Sequence, residues 1–195
     1  MSDRSSDNPK RHWERPETED IATAEQFAAF IADDRLQRLF AYWQGKRNGR
    51  PMPARSDIDP TEIPWALPQI FLVDYTPESG FRYRLSGTEL SSIYGHSNLK
   101  GMTLEDILGP EGAAVVTGRW LPLVEQKQVL CMKGVVYLPT DRTAIGERLM
   151  LPLADVADGP VTGLLGMTIC EWHKGEVAEE LKLSRVKTLS VSMIP

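Results

Sequence analysis

Histidine is scarce in this chain: 195 residues hold three, His12, His96 and His173. None stands at a spacing that would set it beside Cys131 or Cys170, and no Gly-x-Ser-x-Gly elbow occurs, so nucleophilic catalysis has no visible machinery. The expectation is a protein that is not an enzyme, with no catalytic residues. A Gly-x-x-x-x-Gly-Lys-Ser/Thr phosphate loop is missing too; Gly109-Pro110-Glu111-Gly112 reads as the turn that starts a helix. Asp57 and Asp59 form the one suggestive carboxylate pair. No histidine or further carboxylate joins them at ligand spacing, so no metal is expected and capping explains them better. Apolar runs are short, which excludes a membrane-spanning helix. The polar N-terminus lacks the apolar segment of a signal peptide, and a cytoplasmic location is the expectation. Positive charge is in deficit, with 22 Lys and Arg against 27 Asp and Glu for a net charge of -5. That balance argues against a nucleic-acid partner. The basic cluster Lys46-Arg47-Asn48-Gly49-Arg50 reads as a solvated helix end, where cations are favoured.

What is present is the composition of an ordinary globular chain, long enough for one domain with extensions. Its organising stretch runs from Gln69 to Asp106. Phe81, Tyr83 and Leu85 alternate with Arg82, Arg84 and Ser86, the period-2 pattern of a half-buried strand. The preceding run Gln69–Tyr75 pairs with it through the turn Pro77-Glu78-Ser79-Gly80. Leu90, Ile93 and Tyr94 then follow helical spacing from about Thr88, and Gly95 suits the residue just past a helix end.

Hairpin, short helix and Gly95-His96, followed by Leu99-Lys100-Gly101 and Leu104-Glu105-Asp106, resemble the opening of a PAS domain. The lead-in Arg55-Ser56-Asp57-Ile58-Asp59-Pro60-Thr61-Glu62-Ile63-Pro64, continuing to Leu67-Pro68, is similar to that of a bacterial subfamily of small, often single-domain PAS proteins. The resemblance covers roughly Leu36 to Trp172. It implies an α+β fold: a five-stranded antiparallel sheet with helices on one face and an N-terminal helical extension. The expected divisions are a loose N-terminus over 1–20, N-terminal helices over 21–50, a PAS domain over 51–173 and a tail over 174–195. Trp13 could tuck onto the folded part.

In the extension, Thr23 to Gln26 has the form of a capping box. Phe27 and Ile31 begin an apolar stripe. After Asp33-Asp34, one of which caps a second helix, Leu36, Leu39, Phe40 and Trp43 continue the stripe. These residues bury themselves either on the outer face of the PAS sheet or on a second subunit, so the same six are the candidates for a homodimer or partner contact. Asp59-Pro60-Thr61-Glu62 is a helix start with Asp as cap, Pro at the first position and Glu at the third.

The segment Glu111–Lys127 matches the long connecting helix, and Pro122 predicts a bend in it. Three strands follow, over Val129–Leu138, Glu147–Ala154 and Val161–Trp172. Pro152 points to an edge or a bulge in the second. The third is apolar on both sides and expected to be central, with Gly163 and Gly166 leaving room for close approach. The family's sheet order sets a strand between Cys131 and Cys170, about two strand spacings apart, which predicts free thiols. The tail from His173 to Pro195 is uneven and reads either as an added strand or as a docking segment.

The resemblance also implies cofactor options. Flavin-binding light sensors of the family need a reactive cysteine after the Leu-x-Gly region. Leu99-Lys100-Gly101-Met102-Thr103 has none, which argues against flavin photochemistry. Haem-binding members carry an axial histidine on or near the long helix. The helix here has none and His96 lies too early, which argues against haem. The cofactor is left unknown. An apolar cavity between sheet and helices remains, with Tyr83, Leu85, Tyr94, Leu104, Val116, Arg119, Trp120, Met132, Met150 and Met167 as pocket candidates. Methionine suits irregular space, and Arg119, Arg84 or Tyr94 offers a polar anchor. The function this implies is non-catalytic sensing or signalling, through a small molecule, a partner protein or both. The alternatives are a ligand-free adaptor acting through its N-terminal helices and, third, a small enzyme.

Overall fold

The computed structural model of the chain describes residues 18–137, 142–156, 159–175, 177 and 184–195. Its strands are β1 (Thr18–Asp20), β2 (Ile70–Thr76), β3 (Gly80–Ser86), β4 (Gln128–Tyr137), β5 (Thr143–Leu153), β6 (Gly163–His173) and β7 (Arg185–Ser190). Its helices are α1 (Ala24–Phe30), α2 (Asp34–Lys46), α3 (Thr88–Ile93) and α4 (Leu104–Glu125). The architecture is mixed α+β, built on one seven-stranded sheet of order β1-β7-β4-β5-β6-β2-β3. The expectation of five strands counted β2 to β6 alone. Arg185–Ser190 pairs antiparallel with β4, and Thr18–Asp20 pairs parallel with β7. Part of the expected tail and the last residues of the expected loose start are therefore sheet. Strands this short carry little pattern of their own and take their identity from the border they join. Trp13 and His12 lie outside the described residues.

Register assigns the two faces. Glu147 stands opposite Lys133 and Ile169, whereas Arg148 stands opposite Met132 and Thr168. Because side chains alternate, these neighbours in sequence point to opposite sides. The Glu147 face carries α1 and α2. Thr23 caps α1 by accepting from the Gln26 N–H at 3.2 Å, and Asp33 caps α2 by accepting from the Arg35 N–H at 2.8 Å. Phe27, Ile31, Leu36, Leu39, Phe40 and Trp43 are all 3% exposed or less. Of the two partners open to that stripe, the chain supplies its own sheet, so these six side chains present no surface to a second copy. Trp43 Nε1 donates to the carbonyl of Pro152 at 2.9 Å. The Glu147 carboxylate accepts from the N–H groups of Ala32 and Asp33, each at 3.0 Å, tying the α1–α2 junction to β5.

Pro152 does not put β5 at an edge, since β5 lies between β4 and β6. Its pairing with β4 runs only as far as Met150, so Pro152 stands past the end of that ladder and its missing N–H costs nothing there. Cys131 and Cys170 sit on β4 and β6 with β5 between them, and both are free. The bend in the long helix falls elsewhere than expected. Pro122 is helical, and the break is at Gly109, whose φ of 68° and ψ of 174° leave helical geometry. Pro110 then opens the second piece of α4, where its fixed φ suits a first turn.

Gly166 keeps space for a ring. A Cβ there would fall 2.1 Å from Cζ of Phe71. Gly166→Ala must push that ring off the Trp120 ring on which it stacks, so we expect a loss of about 1–3 kcal/mol. The measurement is a fall in the urea midpoint together with a weakened near-UV circular dichroism signal; an unchanged midpoint would contradict the packing described.

Candidate functional site

The Arg148 face is covered by α3 and α4, which leave a small cavity against the strands. Phe71, Tyr83, Tyr137 and Arg148 line it from the sheet, with Leu90 and Tyr94 from α3 and its C-cap and Leu104, Leu108, Val116 and Trp120 from α4. Its volume is about 20 Å³, roughly the room one ordered water needs. Aromatic contacts shape its apolar wall. Phe71 stacks on Trp120 with centroids 5.9 Å apart, and Phe81 meets Trp120 edge-on at 5.4 Å.

The other wall is polar. Arg148 Nε donates to Thr168 Oγ1 at 2.8 Å and Nη2 donates to the Val136 carbonyl at 2.9 Å. Its guanidinium carbon lies 4.6 Å from the centroid of the Tyr137 ring. Tyr137 in turn meets Tyr94 edge-on at 6.1 Å and stacks on Trp172 at 6.4 Å. Among the described residues, the hydrogen-bond partners of Arg148, namely Thr168, the Val136 carbonyl and the Tyr137 phenol, carry no carboxylate. No carboxylate among the described residues forms an ion pair with Arg148.

Burial opposes the Arg148 charge, but the phenol oxygens of Tyr137, Tyr94 and Tyr83 outweigh it, so the group holds its proton more firmly than an ordinary arginine. Tyr83 and Tyr94 do not act as counter-ions at neutral pH. Burial, and then the neighbouring rings, push Tyr83 and Tyr94 above the usual tyrosine range. Arg119 on α4 adds to the imbalance. Its Nε is buried without a hydrogen-bond partner. Burial first, and then the charge of Arg148, lower its hold on the proton. A guanidinium is charged at any physiological pH.

Of the pocket candidates, the structure brings together Tyr83, Tyr94, Leu104, Val116 and Trp120 around the cavity. Met132 and Met150 share the Arg148 face but are sealed in the core beyond the lining. Met167 stands opposite Leu149 and so belongs to the other face. Leu85 pairs with Leu72 across a bulge and does not reach the cavity. Arg119 is near Arg148 without lining it. Arg84 is engaged with Asp74 at 2.8 Å.

Sequence reading missed Phe71, Leu90, Leu108, Tyr137 and Arg148. The signal for Arg148 was available: it shares period-2 parity with Met150, so placing Met150 toward the helices places Arg148 there as well.

Other chemistry-bearing groups are occupied structurally. Asp59 caps a short turn through the Thr61 N–H at 2.8 Å, and Asp57 accepts from the Ala54 N–H at 2.7 Å while pairing with Arg50. In the basic cluster, Lys46 pairs with Glu62 at 2.5 Å, and Arg47 donates to the carbonyls of Ile194 and Pro195. Cys131 donates its thiol proton to Glu147 at 3.2 Å. Burial and then that carboxylate push the Cys131 thiol well above the usual range. Iodoacetamide should therefore label Cys131 roughly a hundredfold more slowly than Cys170 in native protein. Peptide mapping checks this, and equal rates would show that the Glu147 contact opens readily.

Among the described residues no helix is long and apolar enough to cross a membrane. Also among them, no three His, Cys, Asp or Glu side chains gather where they could hold a metal ion. No curated protein matches the chain. A family model for the PAS domain does, over residues 32–169, and those residues supply α2, the strands β2 to β5, most of β6 and every residue lining the cavity. The chain belongs to the PAS domain family, with the general role in sensing and signalling that membership carries.

Proposed function

We propose that this protein is a non-catalytic cytoplasmic sensor domain, in which a small molecule enters between α3, α4 and the sheet. The observation that carries this reading is Arg148: a charged side chain turned into a helix-roofed space with no acidic partner among the described residues. The break at Gly109 supports it, because Leu104 and Leu108 lie on one side of that break and Val116 and Trp120 on the other. The roof can then shift in two parts. A shifted α4 would be read by a signalling partner protein or a second copy of the chain. The lead-in from Arg55 to Pro64 supports a place in the bacterial subfamily of small PAS proteins.

One observation favours the second reading, a ligand-free adaptor. A cavity of about 20 Å³ is far below the roughly 300 Å³ at which small-molecule sites begin. Mass spectrometry of material released on denaturing purified protein separates the two. A stoichiometric small molecule is the outcome expected of a sensor. Nothing released, with no compound in a metabolite library raising the melting temperature, would leave the adaptor.

A further inference from the structure

We infer that the ligand of this cavity is a small monocarboxylate, its anionic group seated on Arg148 and its apolar body lying toward Phe71, Leu108 and Trp120. This inference rests on the sensor reading above. Three observations lead to it. Arg148 keeps donors beyond those given to Thr168 and Val136, and a planar fork of N–H groups matches a carboxylate. Tyr83, Tyr94 and Tyr137 line the same space, and a phenol O–H is a donor that an anion can accept from. Most of the remaining lining is apolar: Phe71, Leu90, Leu104, Leu108, Val116 and Trp120. One cationic end and an apolar remainder suit a singly charged, amphiphilic acid. Inorganic phosphate, hydrated on every side, would leave oxygens against those apolar walls without partners.

Tyr94, Leu108 and Val116 keep partial exposure, so the roof is thin where the acid would enter. Room for its body requires α4 to move outward about Gly109.

The test uses the full chain, with melting temperature and calorimetry in buffer of fixed ionic strength. Benzoate and butyrate are the acids, benzamide and butyramide their neutral counterparts, and inorganic phosphate is a third arm. The acids should raise the melting temperature by about 5 °C at a hundredfold excess over Kd. The amides should bind roughly tenfold more weakly or worse. Arg148→Met should abolish the acid response.

Amides binding as well as acids, a phosphate-only response, or an acid response that survives in Arg148→Met would each overturn the carboxylate and leave the sensor reading standing. Release of a neutral compound from denatured protein would do the same. Silence in every arm, with nothing released, overturns both. Should Arg148→Met fail to fold, Tyr94→Phe decides: a severalfold loss for benzoate with benzamide unchanged supports the carboxylate, and equal affinity for benzoate in variant and parent overturns it.

Discussion

Leu39→Asp is expected to unfold the protein. Leu39 is fully buried on the inner stripe of α2, among Phe27, Leu36, Phe40 and Trp43. Removing a leucine of this kind costs about 2–5 kcal/mol. The aspartate that replaces it brings a carboxyl group into a site with no donor waiting for it. It must be buried charged, or take up a proton and stay unsatisfied, for about a further 1–3 kcal/mol. The sum is comparable with the whole stability of a domain, about 5–15 kcal/mol. Far-UV circular dichroism at 25 °C should show most regular structure gone, and urea titration should show no native baseline. A variant that keeps parental stability but changes its sedimentation would mean that the stripe lies between subunits after all. The same substitution at exposed Ala41, two positions on, should leave both measurements close to the parent.

Glu147→Ala should be the next most damaging change, for a reason that has little to do with volume. Its carboxylate is the acceptor for two backbone N–H groups, at Ala32 and Asp33, and for the Cys131 thiol. Lys133 stands 3.7 Å away. Alanine takes away the shared acceptor of those donors, leaving the Cys131 thiol without it in the core and the two N–H groups without it at a part-buried junction. The expected loss is about 3–5 kcal/mol, the range for breaking a buried, hydrogen-bonded charge arrangement. A glutamine at this position restores one acceptor oxygen but turns an NH₂ group toward donors, so Glu147→Gln should recover less than half. Chemical denaturation gives both numbers. Accelerated alkylation of Cys131 in the alanine variant gives independent proof that this contact, and no distant one, was lost. If Glu147→Ala costs under about 1 kcal/mol, within the range of surface substitutions and single neutral hydrogen bonds, the α1–α2 junction is held by packing alone.

The contrast between these residues shows which parts of the molecule its sequence discloses. Thr23, Asp33, Asp59 and Gly95 announce helix ends because a cap acts within a few residues of itself. The β2–β3 hairpin is legible for the same reason: alternation and turn chemistry are local. Glu147 and Arg148 are adjacent charges within a strand, and nothing local says that one anchors a helical junction while the other faces a cavity. Both roles depend on partners more than a hundred residues away or across the sheet. Met132, Met150, Met167, Leu85 and Arg119 stand off the cavity lining; for the strand residues among them register, not residue type, sets the distance. Strand β7 is one of the two readings left open for the tail, undecided because its partner β4 lies some fifty residues earlier; β1 was hidden because it follows β7 in space while preceding it in the chain. The site therefore was half readable: Tyr83, Tyr94 and Trp120 of its aromatic wall came from pattern, while Phe71, Tyr137 and its charge depended on topology.

The two added strands have a consequence for how the molecule can meet others. With β7 laid along β4 and β1 along β7, one border of the sheet shrinks to the three residues of β1 among the described residues. At the opposite border, the Met102 carbonyl accepts from the N–H of Tyr83 and the Gly101 N–H donates to the Tyr83 carbonyl, which blocks the middle of β3. Among the described residues, a peptide seeking to lengthen the sheet by main-chain pairing finds no long free rail on either flank. Such an arrangement favours recognition through side chains on the helical faces, where specificity depends on shape and charge.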